Sequence, residues 1–305
     1  MAECPCYGRS AKQKGRDAVR SRFVVFAFII LCAMRPQAAA ADSGVTACTG
    51  FVDALPALIE TPGVWCLRRN LAVKPTLKGS AITVAADNVT LDCGRFGFGP
   101  RLANPRSERV GISAFERRNV SIRRCSVRNF WIGIILAGGR GHAVEDNLIE
   151  GSTYAGLYVR SAGSTIRRNR VLDTGGSATI ALALGIFASG DADILDNLIA
   201  GVEGTAIPGL YYGSTGIFAP ESGMIARNRI RGLSPGSTGQ TYAIWAGNTG
   251  NSRVRIHGND LVGPTGAGTG VMCYGDRVLV DGNAINGFRT AVDPSCRAAN
   301  NLFVP

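Results

Sequence analysis

A six-residue pattern recurs along most of the chain. It consists of an aliphatic residue, two polar residues, Asn, one variable residue and a second aliphatic residue. Its copies are residues 144–149, 166–171, 194–199, 225–230, 256–261 and 280–285. A seventh copy, residues 122–127, has Cys125 in the Asn place, and from there successive Asn positions are 22, 22, 28, 31, 31 and 24 residues apart. Intervals of this length are typical of a solenoid in which each interval forms one coil.

A second element, a short alternation of apolar residues, recurs once in each interval. Its copies are residues 133–136, 156–159, 185–188, 216–219, 243–246, 270–273 and 291–294. Period-2 alternation bounded by Gly and Asn predicts short strands. Because hairpin signals are missing, we expect each strand to pair in parallel with the same element of the next coil, about 4.8 Å away. The Asn would then point inward at a tight turn and bond to the backbone and to the Asn of neighbouring coils.

These features resemble those of right-handed parallel β-helix repeat proteins of the pectin-lyase-like superfamily. The resemblance covers about residues 62–304, and the Asn copies together with Asn-Val-Thr-Leu-Asp-Cys-Gly at residues 88–94 carry it. It implies an all-β solenoid with the first aliphatic residue of each copy stacked inside: Val144, Ile166, Ile194, Ile225, Ile256 and Val280. It also implies a polysaccharide as the default ligand, although this architecture serves lyases, hydrolases, epimerases and phage tailspikes alike.

Residues 1–41 have the features of a secretory signal peptide. A basic stretch, residues 9–22, precedes an apolar run of twelve residues, 23–34, and then four alanines, 38–41. The run is shorter than the roughly 20 residues that span a bilayer. We therefore expect cleavage near Asp42, export to the periplasm or the medium, and no membrane partner afterwards.

The segment that follows, residues 42–61, is predicted to be an N-terminal cap. Its apolar residues Phe51, Val52, Leu55, Leu58 and Ile59 have the spacing of a short amphipathic helix, which would cover the open end of the coil. Residues 62–305 would form the β-helix domain. No cap is evident before Pro305, so one predicted route to a homo-oligomer is through the C-terminal end.

Six cysteines remain after signal cleavage, an even number that favours disulfides in an oxidising compartment. Sequence proximity favours the pairs Cys48–Cys66, Cys93–Cys125 and Cys273–Cys296 among fifteen combinations. The competing interpretation, a thiolate metal site, lacks the Cys-x-x-Cys spacing and histidine neighbours that such sites require. We expect no metal and no cofactor.

The formal net charge of +11 overstates how basic the exported protein is. Without residues 1–41 the chain has 26 Lys and Arg against 20 Asp and Glu, a net charge of +6. The outward residues before each Asn alternate in sign from coil to coil: Arg123 and Arg124, Glu145 and Asp146, Arg167 and Arg168, Asp196, Arg227. Such a ladder of opposite charges accounts for much of the arginine content, so we expect no nucleic-acid partner.

The outward position of the second element carries a row of large apolar side chains. Coil by coil it reads Ile135, Tyr158, Phe187, Phe218, Trp245, Met272 and Asp293. An apolar strip of this size on a solvent face usually contacts something. Three interpretations stay open: a stacked sugar chain, cover by neighbouring loops, and contact with a second copy of the chain.

The three longest insertions belong to the coils of Phe187, Phe218 and Trp245. They span residues 173–184, 201–215 and 231–242, and they should emerge side by side at one edge of the row as the walls of a groove. Asp173 and Glu203 are the candidate catalytic acids, and Tyr211 and Tyr212 the candidate phenols of the wall. Arg160, two residues beyond Tyr158, is a candidate for binding a uronate carboxylate.

The residues leave two functions in competition. The Asn-Thr-Asp and Asp-Asp signatures of polygalacturonases and the Arg-x-Pro-x-x-Arg signature of pectate lyases are missing from the sequence. This favours a secreted, non-catalytic protein that binds a polysaccharide along the aromatic row. The alternative is a carbohydrate-active enzyme, a lyase, hydrolase or epimerase, acting on an acidic polysaccharide; ordinary surface charge is the simpler interpretation of Asp173, Glu203 and Arg160.

Overall fold

The computed structural model describes residues 47–304, apart from residues 75, 209–212, 237–238, 248–252 and 276. The predicted signal peptide, residues 1–41, lies outside this part, as do the first residues of the predicted cap.

The described residues form 31 strands in three parallel sheets. Sheet 1 contains β1 Gly50–Phe51, β3 Gly63–Cys66, β6 Val89–Asp92, β9 Ser121–Arg123, β12 Ala143–Glu145, β15 Thr165–Arg167, β18 Ala192–Leu195, β21 Ser222–Ala226, β24 Val254–His257, β27 Val278–Asp281 and β30 Arg297–Ala299. Sheet 2 contains β4 Leu71–Ala72, β7 Gly97–Gly99, β10 Ser126–Arg128, β13 Leu148–Glu150, β16 Arg170–Gly175, β19 Leu198–Glu203, β22 Arg229–Ser234, β25 Asp260–Val262, β28 Ala284–Asn286 and β31 Leu302–Val304. Sheet 3 contains β2 Ala57–Ile59, β5 Ser80–Val84, β8 Val110–Phe115, β11 Ile132–Arg140, β14 Ala155–Ala162, β17 Ala183–Ser189, β20 Ser214–Ala219, β23 Thr241–Gly247, β26 Thr269–Tyr274 and β29 Thr290–Val292.

From β3 onwards the chain visits sheets 1, 2 and 3 in turn, and each strand pairs in parallel with the equivalent strand of the next coil. This is the predicted all-β parallel β-helix, and that prediction is confirmed. Among the described residues there is no helix long and apolar enough to cross a membrane.

The core lies inside the coil and is built from one aliphatic column per sheet. Strand pairing places the six predicted residues of sheet 1 next to one another, and each has 0% exposure: Val144, Ile166, Ile194, Ile225, Ile256 and Val280. Stacked aliphatic side chains remove apolar surface from water at every step, so the repeat itself stabilises the solenoid.

The Asn column forms a continuous hydrogen-bonded ladder at the turn between sheets 1 and 2. The side-chain amide of Asn147 donates to the Oδ1 of Asn169 at 2.9 Å and to the carbonyl of Ile122 at 2.9 Å. The same pair of bonds repeats at Asn169, Asn197, Asn228, Asn259 and Asn283. An inward amide at this turn therefore satisfies the buried carbonyl of the preceding coil, as predicted.

All three predicted disulfides are present: Cys48–Cys66, Cys93–Cys125 and Cys273–Cys296. Cys93 and Cys125 are buried in the column that the Asn residues occupy further along the chain.

The expected N-terminal helix is wrong for the described residues 47–61. Residues 50–51 and 57–59 instead form β1 and β2, which pair with β3 and β5 and so belong to the solenoid. Pro56 disfavours a helical conformation at the residue before it. In addition, the backbone N–H and C=O groups at the edges of β3 and β5 need hydrogen-bond partners, which a strand provides and a short helix does not.

Candidate functional site

The outer face of sheet 3 carries the predicted aromatic row. Strand pairing aligns Tyr158 with Phe187, Phe187 with Phe218, and Phe218 with Trp245. All four side chains are half-buried, whereas the residue before each of them is fully buried in the core. The four rings therefore face outward, as the alternation of apolar residues predicted.

The rings of this row stack on one another along the coil axis. The ring centroids of Tyr158 and Phe187 are 4.3 Å apart with an interplanar angle of 13°. The Phe187–Phe218 pair is edge-on at 5.5 Å and 69°, and the Phe218–Trp245 pair is tilted at 4.8 Å and 31°. Neighbouring rings thus cover part of each other's faces, and the row presents ring edges as well as faces to the outside.

A second outward row on the same sheet is covered by loops. Ile132, Ala155 and Leu184 are aligned on neighbouring strands and are at most 2% exposed. Trp131 and Tyr154, whose rings stack at 5.2 Å, pack against them. Tyr158, Phe187 and Phe218 of the aromatic row, which are half-buried, pack against the same buried residues.

Two loops close over this region from opposite directions along the coil axis. The backbone N–H of Ala178, in the loop before β17, donates to the carbonyl of Pro105, in the loop before β8, at 2.8 Å. The coils of β11 and β14 lie between these loops, so the contact bridges across the coils of Trp131 and Tyr154.

The predicted acids lie on sheet 2, in an open groove of about 750 Å³. The groove is formed by the C-terminal ends of β16, β19 and β22, and these three strands are longer than the other strands of that sheet. Asp173 and Glu203 both line it and both are exposed. Its other lining residues are small: Thr174, Gly175, Gly176, Gly201, Gly204, Thr205, Ala206, Gly232, Ser234 and Gly236.

Asp173 also has a structural role in its strand. It adopts a left-handed backbone conformation with φ of 53°, and the equivalent residues of the next two coils are Gly201 and Gly232, with φ of 70° and 65°. Asp is one of the few residues besides Gly and Asn that tolerate this conformation. The local bend therefore accounts for an Asp at this position without requiring catalysis.

The acids are close to each other but not directly opposed. Glu203 pairs with Gly175, so the two acids are one strand apart and two residues apart along the strands, about 8 Å between Cα atoms. No basic residue lines the described part of this groove.

Arg160 lies on a different sheet from the acids. It is exposed on β14, aligned with Ala137 and Ser189, on the outer face of sheet 3. The structure thus places Arg160 with the aromatic row, and it is not part of the acidic groove. Tyr211 and Tyr212, the predicted wall residues, lie outside the described residues.

The arginines of the turn between sheets 1 and 2 are paired as predicted. Arg168 donates two hydrogen bonds to Asp146, at 2.7 and 2.8 Å, and Arg227 donates two to Asp196, at 2.7 and 2.9 Å. The hydrogen bond from Arg168 lowers the pKa of Asp146 below its ordinary value. These pairs are exposed to solvent, so they contribute little to stability and serve structure.

The sequence analysis missed two groups of residues. One is the stacked, half-buried pair Trp131 and Tyr154, each just before a strand of sheet 3. The other is a set of arginines on the outer face of sheet 1, which line a separate groove of about 560 Å³: Arg253, Arg255, Arg277 and Arg297. The recurrence of Arg at the outward positions of three successive coils was the available signal. Across the described residues, no three His, Cys, Asp or Glu side chains converge as metal ligands.

Comparison with known proteins bears on the fold. Among solved structures, the chain is similar to DFA-IIIase from Arthrobacter chlorophenolicus A6 in complex with GF2, with 12% identity, 81% of this chain and 69% of that chain covered, and a TM-score of 0.38. It is also similar to an alginate lyase from Paenibacillus sp. str. FPU-7, with 16% identity, 78% and 92% covered, and a TM-score of 0.37. No curated protein sequence matches it. Residues 79–207 match the family described as right handed beta helix region. Together with the stacked coils and the Asn ladder, this match supports a right-handed parallel β-helix fold for the chain.

Proposed function

We propose that this protein is exported and binds a polysaccharide along the aromatic row of sheet 3, in a non-catalytic role. The observation that carries the proposal is the unbroken alignment of four half-buried, outward-facing rings, Tyr158, Phe187, Phe218 and Trp245, on four neighbouring strands. Three disulfides agree with an oxidising compartment outside the cytoplasm.

A repeating ligand suits a repeating surface. Neighbouring rings are offset by one strand, about 4.8 Å. A sugar chain lying along the coil axis could therefore meet one ring after another, each contact being weak and their sum considerable. The described parts of the three long insertions lead into three of the four strands of this row, β17, β20 and β23.

The distribution of charged residues supports a binding role rather than uronate elimination. Elimination requires a base and a cation that neutralises the sugar carboxylate close to one another. Asp173 and Glu203 line a groove without a basic residue among its described lining, and Arg160 belongs to another sheet.

Glycoside hydrolysis is the second candidate function. It needs two carboxylates, and the inverting mechanism separates them by about 6.5–9.5 Å. The presence of both Asp173 and Glu203 in one open groove favours this candidate.

Titration of the purified protein with a panel of neutral and acidic polysaccharides tests both functions. Binding is followed by tryptophan fluorescence; since the chain has three Trp, the Trp245→Phe variant assigns the signal. Products are followed as reducing ends and as the absorbance of unsaturated uronate. Binding without product supports the non-catalytic role. Reducing ends that disappear in both Asp173→Asn and Glu203→Gln would establish the hydrolase. Failure to bind any glycan, with a molar mass that rises with concentration, would assign the row to subunit contact.

A further inference from the structure

Positive charge is concentrated in the first coils of the β-helix. Residues 47–141 contain 14 Lys and Arg against six Asp and Glu, whereas residues 142–304 contain 12 against 13. The excess positive charge of the exported chain therefore belongs to its first coils. Charge of one sign at one end of a protein favours an oppositely charged partner at that end.

Two loops at the edge between sheets 2 and 3 carry much of this charge. One joins β4 to β5 and spans residues 73–79, and the other joins β7 to β8 and spans residues 100–109. The loops lie side by side, because β4 pairs with β7 and β5 pairs with β8, and the N–H of Val110 donates to the carbonyl of Gly79 at 3.0 Å. Their basic residues are Lys74, Lys78, Arg101, Arg106 and Arg109. Glu108 is the one acidic residue among the described residues of these loops, which we call the basic edge.

Most of the charge on the basic edge is not neutralised within the described part of the protein. Four of its basic residues are exposed and form no ion pair with any described residue: Lys74, Lys78, Arg101 and Arg106. By contrast, Arg168 and Arg227, at the turn between sheets 1 and 2, pair with carboxylates of the neighbouring coils. The charge ladder therefore does not account for the basic residues of these two loops, and their side chains are accessible to an external anion.

The basic edge also carries an exposed apolar side chain on a loop that is held in place. Leu102 is 78% exposed, the largest exposed fraction of any large apolar side chain among the described residues. The side-chain amide of Asn129 donates to the carbonyl of Pro100 at 2.9 Å, and the N–H of Ala178 donates to the carbonyl of Pro105 at 2.8 Å. Because apolar surface is stabilised by removal from water, Leu102 would gain from a partner with an apolar interior.

We propose that the basic edge binds the surface of a bilayer that contains anionic phospholipids. Basic side chains are attracted to the negative surface potential of such a bilayer, and an exposed apolar side chain enters the boundary between headgroups and acyl chains. Arg101 and Arg106 lie on either side of Leu102 in the loop, so their charges would meet phosphate groups where the leucine enters the bilayer. The sequence analysis predicted no membrane partner from the short apolar run of residues 23–34, but a peripheral contact needs no spanning segment.

The composition of the basic edge favours a lipid surface over other polyanions. Single-stranded nucleic acids are bound with aromatic rings that stack on bases, and the described residues of the two loops include no aromatic residue. A hydrated acidic glycan would be attracted by the basic side chains, but it offers no apolar phase for Leu102. An anionic bilayer accounts for both the charge and the exposed leucine.

This proposal concerns different residues from the aromatic row and does not rest on the function proposed for sheet 3. A polysaccharide could occupy the row while the basic edge holds the protein at a membrane surface. Either site can therefore fail its test without affecting the other.

Co-sedimentation of the exported protein with lipid vesicles tests the proposal. The wild type should bind vesicles of phosphatidylglycerol and phosphatidylcholine in equal parts, and should bind pure phosphatidylcholine vesicles about tenfold more weakly. Arg101→Gln/Arg106→Gln should weaken binding to the mixed vesicles about tenfold, because each basic residue near an anionic surface adds to the attraction. Leu102→Ser should weaken it several-fold, and this effect should persist at high salt, which screens charges but does not prevent apolar insertion.

Two matched controls remove the same groups from other exposed positions. Arg231→Gln/Arg289→Gln removes two charges from later coils, and Leu279→Ser removes a leucine from sheet 1 that is 41% exposed. Both should bind the mixed vesicles like the wild type. Arg101→Lys/Arg106→Lys keeps the charge and should also bind like the wild type, because a lipid surface attracts any basic side chain. This variant also covers the case of a poorly folded Gln variant.

Four results would overturn the proposal. The first is the absence of binding to mixed vesicles, and the second is equal weakening in the test and control variants. The third is loss of binding in Arg101→Lys/Arg106→Lys, which would indicate a two-pronged contact with a single anionic group. The fourth is binding of polygalacturonate that depends on Arg101 and Arg106 in place of vesicle binding. Trp245→Ala should leave vesicle binding intact, which separates the basic edge from the aromatic row.

Discussion

The backbone N–H of Cys125 donates to the side-chain Oδ1 of Asn147 at 2.9 Å. The Asn ladder therefore continues into a coil where Asn is replaced by cysteine. Cys125 is in turn bonded to Cys93 of the preceding coil. The disulfide takes the place of the side-chain amide bonds that join the later coils, so covalent and hydrogen-bonded links follow one another in a single column.

Loss of the Cys93–Cys125 link should destabilise the protein. The Cys93→Ala/Cys125→Ala variant removes a cross-link that closes a 32-residue separation, and we expect the free energy of unfolding to fall by about 2–4 kcal/mol. Denaturant titration measures this. Mass mapping of non-reduced peptides from the exported protein should recover all three pairs, and a count of six free thiols would contradict the assignment.

Removal of one Asn side chain from the middle of the ladder should lower the free energy of unfolding. The amide of Asn197 donates to the carbonyl of Ile166 at 2.9 Å, and its Oδ1 accepts the backbone N–H of Asn169 at 2.9 Å. Asn197→Ala leaves both buried backbone groups without these partners, so we expect a loss of about 2–4 kcal/mol. Asn286→Ala, at an exposed position of β28, is the control and should change stability by less than about 0.5 kcal/mol. Equal effects would show that the ladder is dispensable.

Asp92 should make the fold sensitive to acid. Burial by itself raises the pKa of Asp92, but hydrogen bonds from Arg124 and Gly94 and the charges of Arg124 and Arg123 outweigh it and lower the pKa below 3.8. The unfolded chain then takes up the proton first. The stabilisation is therefore complete above the pKa that Asp92 has in the unfolded chain, and it is lost as pH falls through the lower pKa that Asp92 has in the folded protein.

The variant Asp92→Asn tests this pH dependence by unfolding at pH 7 and at pH 3. It should be less stable than the wild type at pH 7, by about 1–3 kcal/mol, and should lose less stability on acidification. Asp53→Asn, which breaks the exposed pair with Arg68, should follow the wild-type curve closely. A wild-type slope in the Asp92 variant would assign the acid sensitivity to other groups.

His142 should add a second pH dependence at milder acidity. It is 2% exposed; burial lowers its pKa below 6.5, although a hydrogen bond to the carbonyl of Gly138 opposes the shift. Its Nδ1 accepts the N–H of Val120 at 3.2 Å, which requires the neutral ring. Between pH 6.5 and the lower folded pKa only the unfolded chain binds the proton, so stability falls as pH is lowered through this window.

His142→Gln should reduce the difference in unfolding free energy between pH 7.5 and pH 5.5. His257→Gln, at an exposed position, shows what a surface histidine contributes over the same interval. An unchanged difference in the His142 variant would mean that the buried ring is protonated in the folded protein as readily as in the unfolded one.

The fold could be predicted because its determinants are local and repeated. The Asn spacing located the turns, and the period-2 alternation separated inward residues such as Ile186 from outward ones such as Phe187. The pairing of Asp92 with Arg123 and Arg124 was missed because Asp92 lies in the coil before the first copy of the six-residue pattern.

The arrangement of the candidate site was harder to predict. Asp173 and Glu203 were expected beside the aromatic row, but β16 and β19 extend further than the equivalent strands and keep both acids on sheet 2. Sequence spacing does not tell at which residue a long insertion leaves its strand, since that depends on hydrogen bonds to the neighbouring coil. The same dependence on neighbours explains the N-terminal segment. Its residues have the spacing of an amphipathic helix but form strands, because they pair with the edges of β3 and β5.

Trp245 distinguishes a binding surface from a packing seam. Its ring is half-buried and lies 4.8 Å from Phe218 and 5.1 Å from Tyr242, so Trp245→Ala removes two ring contacts and should cost about 1 kcal/mol of stability. If the row binds a glycan, the same variant should bind it about tenfold more weakly, because a sugar that stacks there loses its largest partner. Phe115→Ala, which removes a 52% exposed ring elsewhere on sheet 3, is the matched control and should bind normally. If the melting temperature of Trp245→Ala falls by many degrees without a binding defect, the rings stabilise the fold by packing on one another, as Tyr158 and Phe187 do. The polysaccharide would then have to bind on another face.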